Sequence, residues 1–171
     1  MNTVAYSAIE TAWDEFVQVR ALTPWMTGGT GPNSVSTPGY YKGKNCVSAT
    51  VKYDRPLTAA DIDKLRNASR FINRSFIIAM SAILEAHGIV PNGEYPDTSL
   101  SGGLECELVK RLRHCFAHRG DVPFNPSDKM HKKANDVRQK VFPKSDPFAL
   151  DIDKFLEPLK NRVLEYIRAA T

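Results

Sequence analysis

The chain has 171 residues, 42% of them apolar and 25% charged, and a formal net charge of +4, which is the balance of one soluble globular domain with a sizeable core. Its three cysteines, Cys46, Cys106 and Cys115, are odd in number and at no metal-ligand spacing, which argues against a disulfide scaffold and for a reducing compartment. The most apolar run, Phe76 to Leu84, is too short to span a bilayer, and Met1 to Phe16 carries acids where a signal peptide needs an apolar core, so a cytoplasmic protein without a membrane role is expected.

Val4 to Ala21 reads as the first helix, with Ala5, Ile9, Trp13 or Ala12, Phe16 and Val19 recurring at three and four until Thr23-Pro24 ends it. Trp25 to Leu57 is rich in Gly, Pro, Ser and Thr and too long for an ordinary connection. Within it Val47, Ala49, Val51 and Tyr53 alternate with polar residues as one strand, and Tyr40 to Lys44 offers a turn and a short partner. A small β-hairpin or mobile loop is therefore expected as an insertion over residues 23–57.

Thr58 to His87 is the longest helical pattern. Thr58 and Asp61 form a capping-box pair at its start, and Gly88 is a stop at its end. Ile62, Leu65, Ser69 and Ile72 make one stripe, whereas from Phe71 onward apolar residues appear on all sides, the mark of a surrounded rod. His87 reads as a C-terminal cap. A loop follows over Ile89 to Gly103, then a helix from Leu104 to Arg119, a break at Pro123 and Pro126, and a helix capped by Ser127. That helix is expected to bury Met130, Ala134, Val137 and Val141 and to leave Lys129, Lys132, Lys133, Arg138 and Lys140 outside, with His131 exposed beside them. A last helix begins near Phe155 to Pro158 and buries Leu159, Val163, Tyr166 and Ile167. The expected fold is all-α, a helical bundle of about five helices in a single domain over residues 1–171.

Charge is unevenly placed along this plan. Between Leu104 and Lys144 ten Lys and Arg stand against five Asp and Glu, so the positive excess surrounds one helix. A solvated face accounts for such a run, and so does a polyanion footprint. What weights the second reading is the stretch Leu112-Arg113-His114-Cys115-Phe116-Ala117-His118-Arg119-Gly120. On a helix, residues five apart lie about 140° from one another, so Arg113 and His118 flank a groove with His114 and Ala117 between them. Leu104, Leu108, Leu112, Cys115 and Phe116 gather opposite as a packing stripe. An arginine brings a fixed charge and a planar fork of donors, and a histidine exchanges a proton near neutrality.

Other patterns carry less. Gly28-Gly29-Thr30-Gly31 and Gly43-Lys44 lack the residues that complete a phosphate loop, and the sequons at Asn67 and Asn73 fall inside a helix. His114 and His118 are spaced to chelate a metal, but no further ligand is placed near them in sequence. Cys115 lies on the packing stripe, where a thiol is inert.

Arg113-His114-x3-His118 followed by Arg119-Gly120 resembles the R-polar-x(3–5)-H motif of HEPN domains, small all-helical domains, and Leu112 to Gly120 is similar to the bacterial form LRN-x-x-AHG with His114 in the asparagine position. The likeness extends over roughly residues 58–171. It implies a metal-independent endoribonuclease, a toxin or antiviral defence effector that needs no cofactor, with Arg113, His118 and His114 as catalytic residues. Lys110, Arg111, Arg119, Lys129, Lys132 and Lys133 would then hold the RNA backbone. It further implies a homodimer with a composite site, and admits a cognate antitoxin or a nucleotidyltransferase as partner. The alternative within the same resemblance is a non-catalytic module that binds RNA, nucleotide or protein.

Overall fold

Five α-helices and four short strands account for most of the chain that the computed structural model describes, namely residues 2–23, 33–37, 40–42, 45–47, 49–119, 125–143 and 150–170, with backbone alone at 40–42, 45–47, 118 and 119. The helices are α1 (Thr3–Leu22), α2 (Ala59–Ala86), α3 (Gly103–Arg119), α4 (Lys129–Val141) and α5 (Glu157–Ala169). The strands are β1 (Ser34–Ser36), β2 (Tyr40–Lys42), β3 (Asn45–Val47) and β4 (Thr50–Lys52). The all-α architecture with a small antiparallel β element is thus the one expected. The chain forms two compact units, one of Met1–Ala12 with Arg74–Thr171 and the other of Trp13–Asn73, and α1 and α2 each contribute a segment to both. None of the helices among the described residues is long and apolar enough to cross a membrane.

The unit Trp13–Asn73 holds the insertion. Its strands form two antiparallel pairs, β2 with β3 in the register Tyr40↔Val47 and β1 with β4 in the register Val35↔Val51. The expected single strand from Val47 to Tyr53 is therefore divided, and its second half pairs with Ser34–Ser36 rather than with Tyr40–Lys42. The physical reason is that β4 presents no buried face: Thr50, Val51 and Lys52 are all exposed, so alternation there has no apolar side to fix a longer pairing. Val35, Leu57 and Ile62 make a small core with Tyr53 and Leu65 against it. The capping box forms as read, with the Thr58 hydroxyl and N–H both donating to Asp61 Oδ2 (2.6 and 2.9 Å) and the Arg55 guanidinium closing on the same carboxylate at 2.7 Å. Val19, expected in the α1 stripe, is exposed, and Arg20 takes the buried position one residue on, its Nη1 donating to Ser69 Oγ at 3.1 Å. Phe71 is likewise 66% exposed rather than surrounded.

The other unit carries the main helical packing. Phe76, Ile77, Met80 and Leu84 of α2 are buried, though Ile78 reaches solvent, so the rod is not enclosed on every side. At the end of α2, Gly88 takes the left-handed conformation at φ 65°, Gly88 N–H donates to Glu85 O and Ile89 N–H to Leu84 O, a complete Schellman stop in which His87 is the capping residue. The α3 helix packs on α4 and α5. Its start is fixed by two glycines: a Cβ on Gly102 would meet Arg162 O at 2.0 Å and one on Gly103 would meet Asp97 O at 2.2 Å, so only glycine lets the loop and α5 close up there. Glu105, buried in the first turn of α3, accepts from Arg162 Nε at 3.0 Å.

Two features of α4 depart from the reading. Its N-cap is Asp128, whose Oδ1 accepts from Met130 N–H (2.9 Å) and His131 N–H (3.1 Å), while Ser127 N–H is taken up earlier by Asn125 Oδ1. Its buried residues are His131, Ala134, Val137 and Arg138, a face displaced by about one residue from the expected Met130–Ala134–Val137–Val141 stripe. Instead of lying outside, Arg138 is 1% exposed, with its guanidinium 5.2 Å from the centre of the Phe155 ring. His131, expected in solvent, is buried, and its Nδ1 accepts from Asn125 N–H at 3.0 Å. The chain reaches α5 through a π-helical turn, Ile152–Leu156, and Pro158 stands in the first turn of α5, where its missing N–H costs nothing.

Candidate functional site

The packing stripe of α3 is where the sequence put it: Leu108, Leu112 and Cys115 are buried, with Leu104 and Phe116 partly so. Phe116 also takes the Arg74 guanidinium over its ring at 5.3 Å. Burying that stripe turns the other side of the helix outward. Arg113 and His114 there border a cleft of about 390 Å³ together with Glu85, the loop residues Asn92 to Tyr95, Lys110, Arg111, Met130 and Lys133. Four fixed cations thus line the cleft against two carboxylates, before any charge on His114.

The cations are held differently. Lys110 Nζ donates to two backbone carbonyls, Pro91 O at 2.9 Å and Glu94 O, which fastens the loop to α3 without cancelling the ammonium charge. Arg111 is paired one turn back with Glu107, its Nε 2.8 Å from Oε1, and lies 4.9 Å from the centre of the Tyr95 ring. Arg113 stands 3.8 Å from Glu85 Oε2, beyond hydrogen-bond range, so the carboxylate orients the guanidinium without tying up its donors. An ion pair this open to solvent adds little stability. Lys133 reaches the cleft from α4 with its side chain exposed.

Of the residues singled out from the sequence, Arg113, His114, Lys110, Arg111 and Lys133 meet at this one cleft. Lys129 and Lys132 are exposed on α4 but do not border it. His118 and Arg119 lie in the last turn of α3 by backbone, their side chains outside the described residues, as is Gly120 altogether. Glu85, Asn92, Gly93, Glu94, Tyr95 and Met130 also border the cleft and were not singled out from the sequence as site residues. Glu85 follows the apolar run Phe76 to Leu84 directly, and Tyr95 falls within the loop Ile89 to Gly103. Neither has a sequence pattern of its own, because both reach the cleft from outside α3.

Cys106 and Cys115 are both buried free thiols, and burial together with the neighbouring Glu105 pushes the Cys106 thiol far above its usual range, so it is inert. Among the described residues no group of three His, Cys, Asp or Glu is placed to hold a metal ion. No protein-family model, curated protein or solved structure matches the chain.

Proposed function

We propose that the protein is a metal-independent endoribonuclease of the HEPN type, a cytoplasmic toxin or defence effector acting as a homodimer. The observation that carries this reading is the polarity of α3: one side is sealed in the core by Leu108, Leu112 and Cys115, and the other opens Arg113 and His114 into a cleft rimmed by Lys110, Arg111 and Lys133. RNA supplies its own nucleophile. The 2′-oxygen attacks phosphorus as a base removes its proton, the bond to the 5′-oxygen breaks as an acid protonates that atom, and a 2′,3′-cyclic phosphate and a 5′-hydroxyl result. His118 is assigned to proton transfer and Arg113 to the charge that builds on the non-bridging oxygens.

A positioned acid–base group contributes about 10²–10⁴ in rate, and an aimed cationic donor a further ~2.7–4 kcal/mol. One His118 serves one of the two proton transfers. Two copies about a two-fold axis bring a second His118 and a second Arg113 to the same phosphate, which is the reason for assigning a homodimer. His114 is assigned to orienting these groups.

The test is cleavage of mixed cellular RNA by purified wild type and His118→Ala in the presence of EDTA. Cleavage by the wild type alone, leaving cyclic phosphate ends, is the expected result. A second reading, a non-catalytic binding module, draws on the pairing of Arg111 with Glu107, which engages one of the four cleft cations, and on the Glu85 carboxylate that stands 3.8 Å from Arg113. It predicts no cleavage from well-folded dimer and loss of RNA binding in the Lys132→Ala, Lys133→Ala double variant. An antitoxin or nucleotidyltransferase partner is compatible with both.

A further inference from the structure

Tyr95 is 62% exposed, on a loop that is otherwise tightly fastened. On one side of it the loop is held to α3 by Lys110, through Pro91 O and Glu94 O. On the other, Asp97 N–H donates to the hydroxyl of Tyr166 on α5 at 3.0 Å, and Asp97 Oδ1 accepts from Ser99. The ring itself lies against the Arg111 guanidinium, which Glu107 holds in place. One face of Tyr95 is thus backed by a fixed cation, and the exposed remainder borders the same cleft as Arg113 and Lys133.

An aromatic face beside a line of cations is what an unpaired nucleobase and its phosphate require: the base stacks while the cations hold the backbone. A base inside a duplex has its faces covered by neighbours and cannot use such a surface. We infer that Tyr95, backed by Arg111, is the platform for one unpaired nucleobase of an RNA whose phosphate lies at Arg113 and Lys133. This rests on the ribonuclease reading and extends it, because it makes the site selective for single-stranded RNA. The ordering that stacking normally demands is already present, since the loop is fastened on both sides of Tyr95 and the backing guanidinium is fixed.

The test uses the full chain and a short 2′-O-methyl oligoribonucleotide, which lacks the nucleophile and so reports binding alone, carrying 2-aminopurine as a fluorescent base. Wild type is expected to bind it with quenching. Tyr95→Ala is expected to weaken binding roughly 5- to 150-fold and to remove the quenching, and Tyr95→Trp to restore both. A fully paired hairpin of equal charge should bind wild type and Tyr95→Ala alike. Lys133→Ala should weaken both oligonucleotides and lower the salt slope by about 1. Wild-type affinity and quenching in Tyr95→Ala, with Lys133→Ala still weakened, would overturn the platform and leave the ribonuclease reading standing. Failure of wild type to bind either oligonucleotide, together with no cleavage of cellular RNA, would overturn both. Melting temperatures within a few degrees of wild type establish that each variant is folded.

Discussion

The helices α3 and α4 lie against one another and are both basic, yet they choose their buried sides by different rules. In α3 apolar residues recur at Leu108, Leu112 and Cys115, and their burial fixes the helix's rotation. In α4 the aliphatic stripe is thin, and the buried side is decided by His131, whose Nδ1 accepts a hydrogen bond inside, and by Arg138, whose guanidinium lies over the Phe155 ring. Apolar periodicity therefore fixes a helix's orientation only where it is strong enough to outweigh one or two amphipathic side chains. The consequence for function is direct: α3 aims Arg113 and His114 at solvent, whereas α4 delivers Lys133 to the cleft but keeps Arg138 out of it.

The sharpest way to break this comparison is to remove one apolar group from each helix. Leu112→Ala should lower the unfolding free energy by about 2–5 kcal/mol, through lost transfer energy and a residual cavity. Met130→Ala, at a position the sequence marks as core but the structure leaves half-buried, should cost only about 1 kcal/mol. Denaturant unfolding of the two variants checks this, and equal losses would restore the stripe read from the sequence.

The polar side of the comparison is tested next at His131. Removing its ring in His131→Ala deprives the Asn125 N–H of its acceptor and empties a buried position, an expected loss of about 1–3 kcal/mol. Lys132→Ala, one residue on and exposed, should change stability by less than about 0.5 kcal/mol. The two measured by chemical denaturation should differ clearly, and a silent His131→Ala would mean that the histidine is merely covered rather than used.

The same division explains how much could be read in advance. Helix count, the α3 stripe, the Thr58–Asp61 cap and the Gly88 stop were legible because each is a local signal with a single outcome: a spacing, a side chain within three residues of its partner, a left-handed glycine. The identity of α4's buried face, the pairing partner of β4 and the place of Tyr95 and Glu85 in the cleft were not. Each depends on an element distant in sequence or on a polar side chain that happens to find a partner. Asp128 displaced Ser127 as cap for a related reason: both are good caps, and only the turn accepted by Asn125 Oδ1 decides between them.

The smallest expected effect belongs to a local signal, and its pH dependence reports on it. The Arg55 guanidinium, followed by the Thr58 hydroxyl and N–H, holds the Asp61 carboxyl well below the usual carboxylate range. A folded-state pKa below the unfolded one means that the unfolded chain binds the proton more readily, so the stabilising contribution is complete above the ordinary aspartate pKa of about 3.9 and fades as pH falls through and below it. The partner Arg55 is about half exposed, so solvent screens the pair and the contribution is modest. Asp61→Asn keeps a side chain of the same size and loses the charge. Its melting temperature should lie slightly below wild type at pH 7 and converge on it as the pH drops from about 4 towards 2. A gap that stayed constant over this range would show that the cap acts through its shape and neutral hydrogen bonds alone, and that the charge pairing of Arg55 with Asp61 adds nothing to the start of α2.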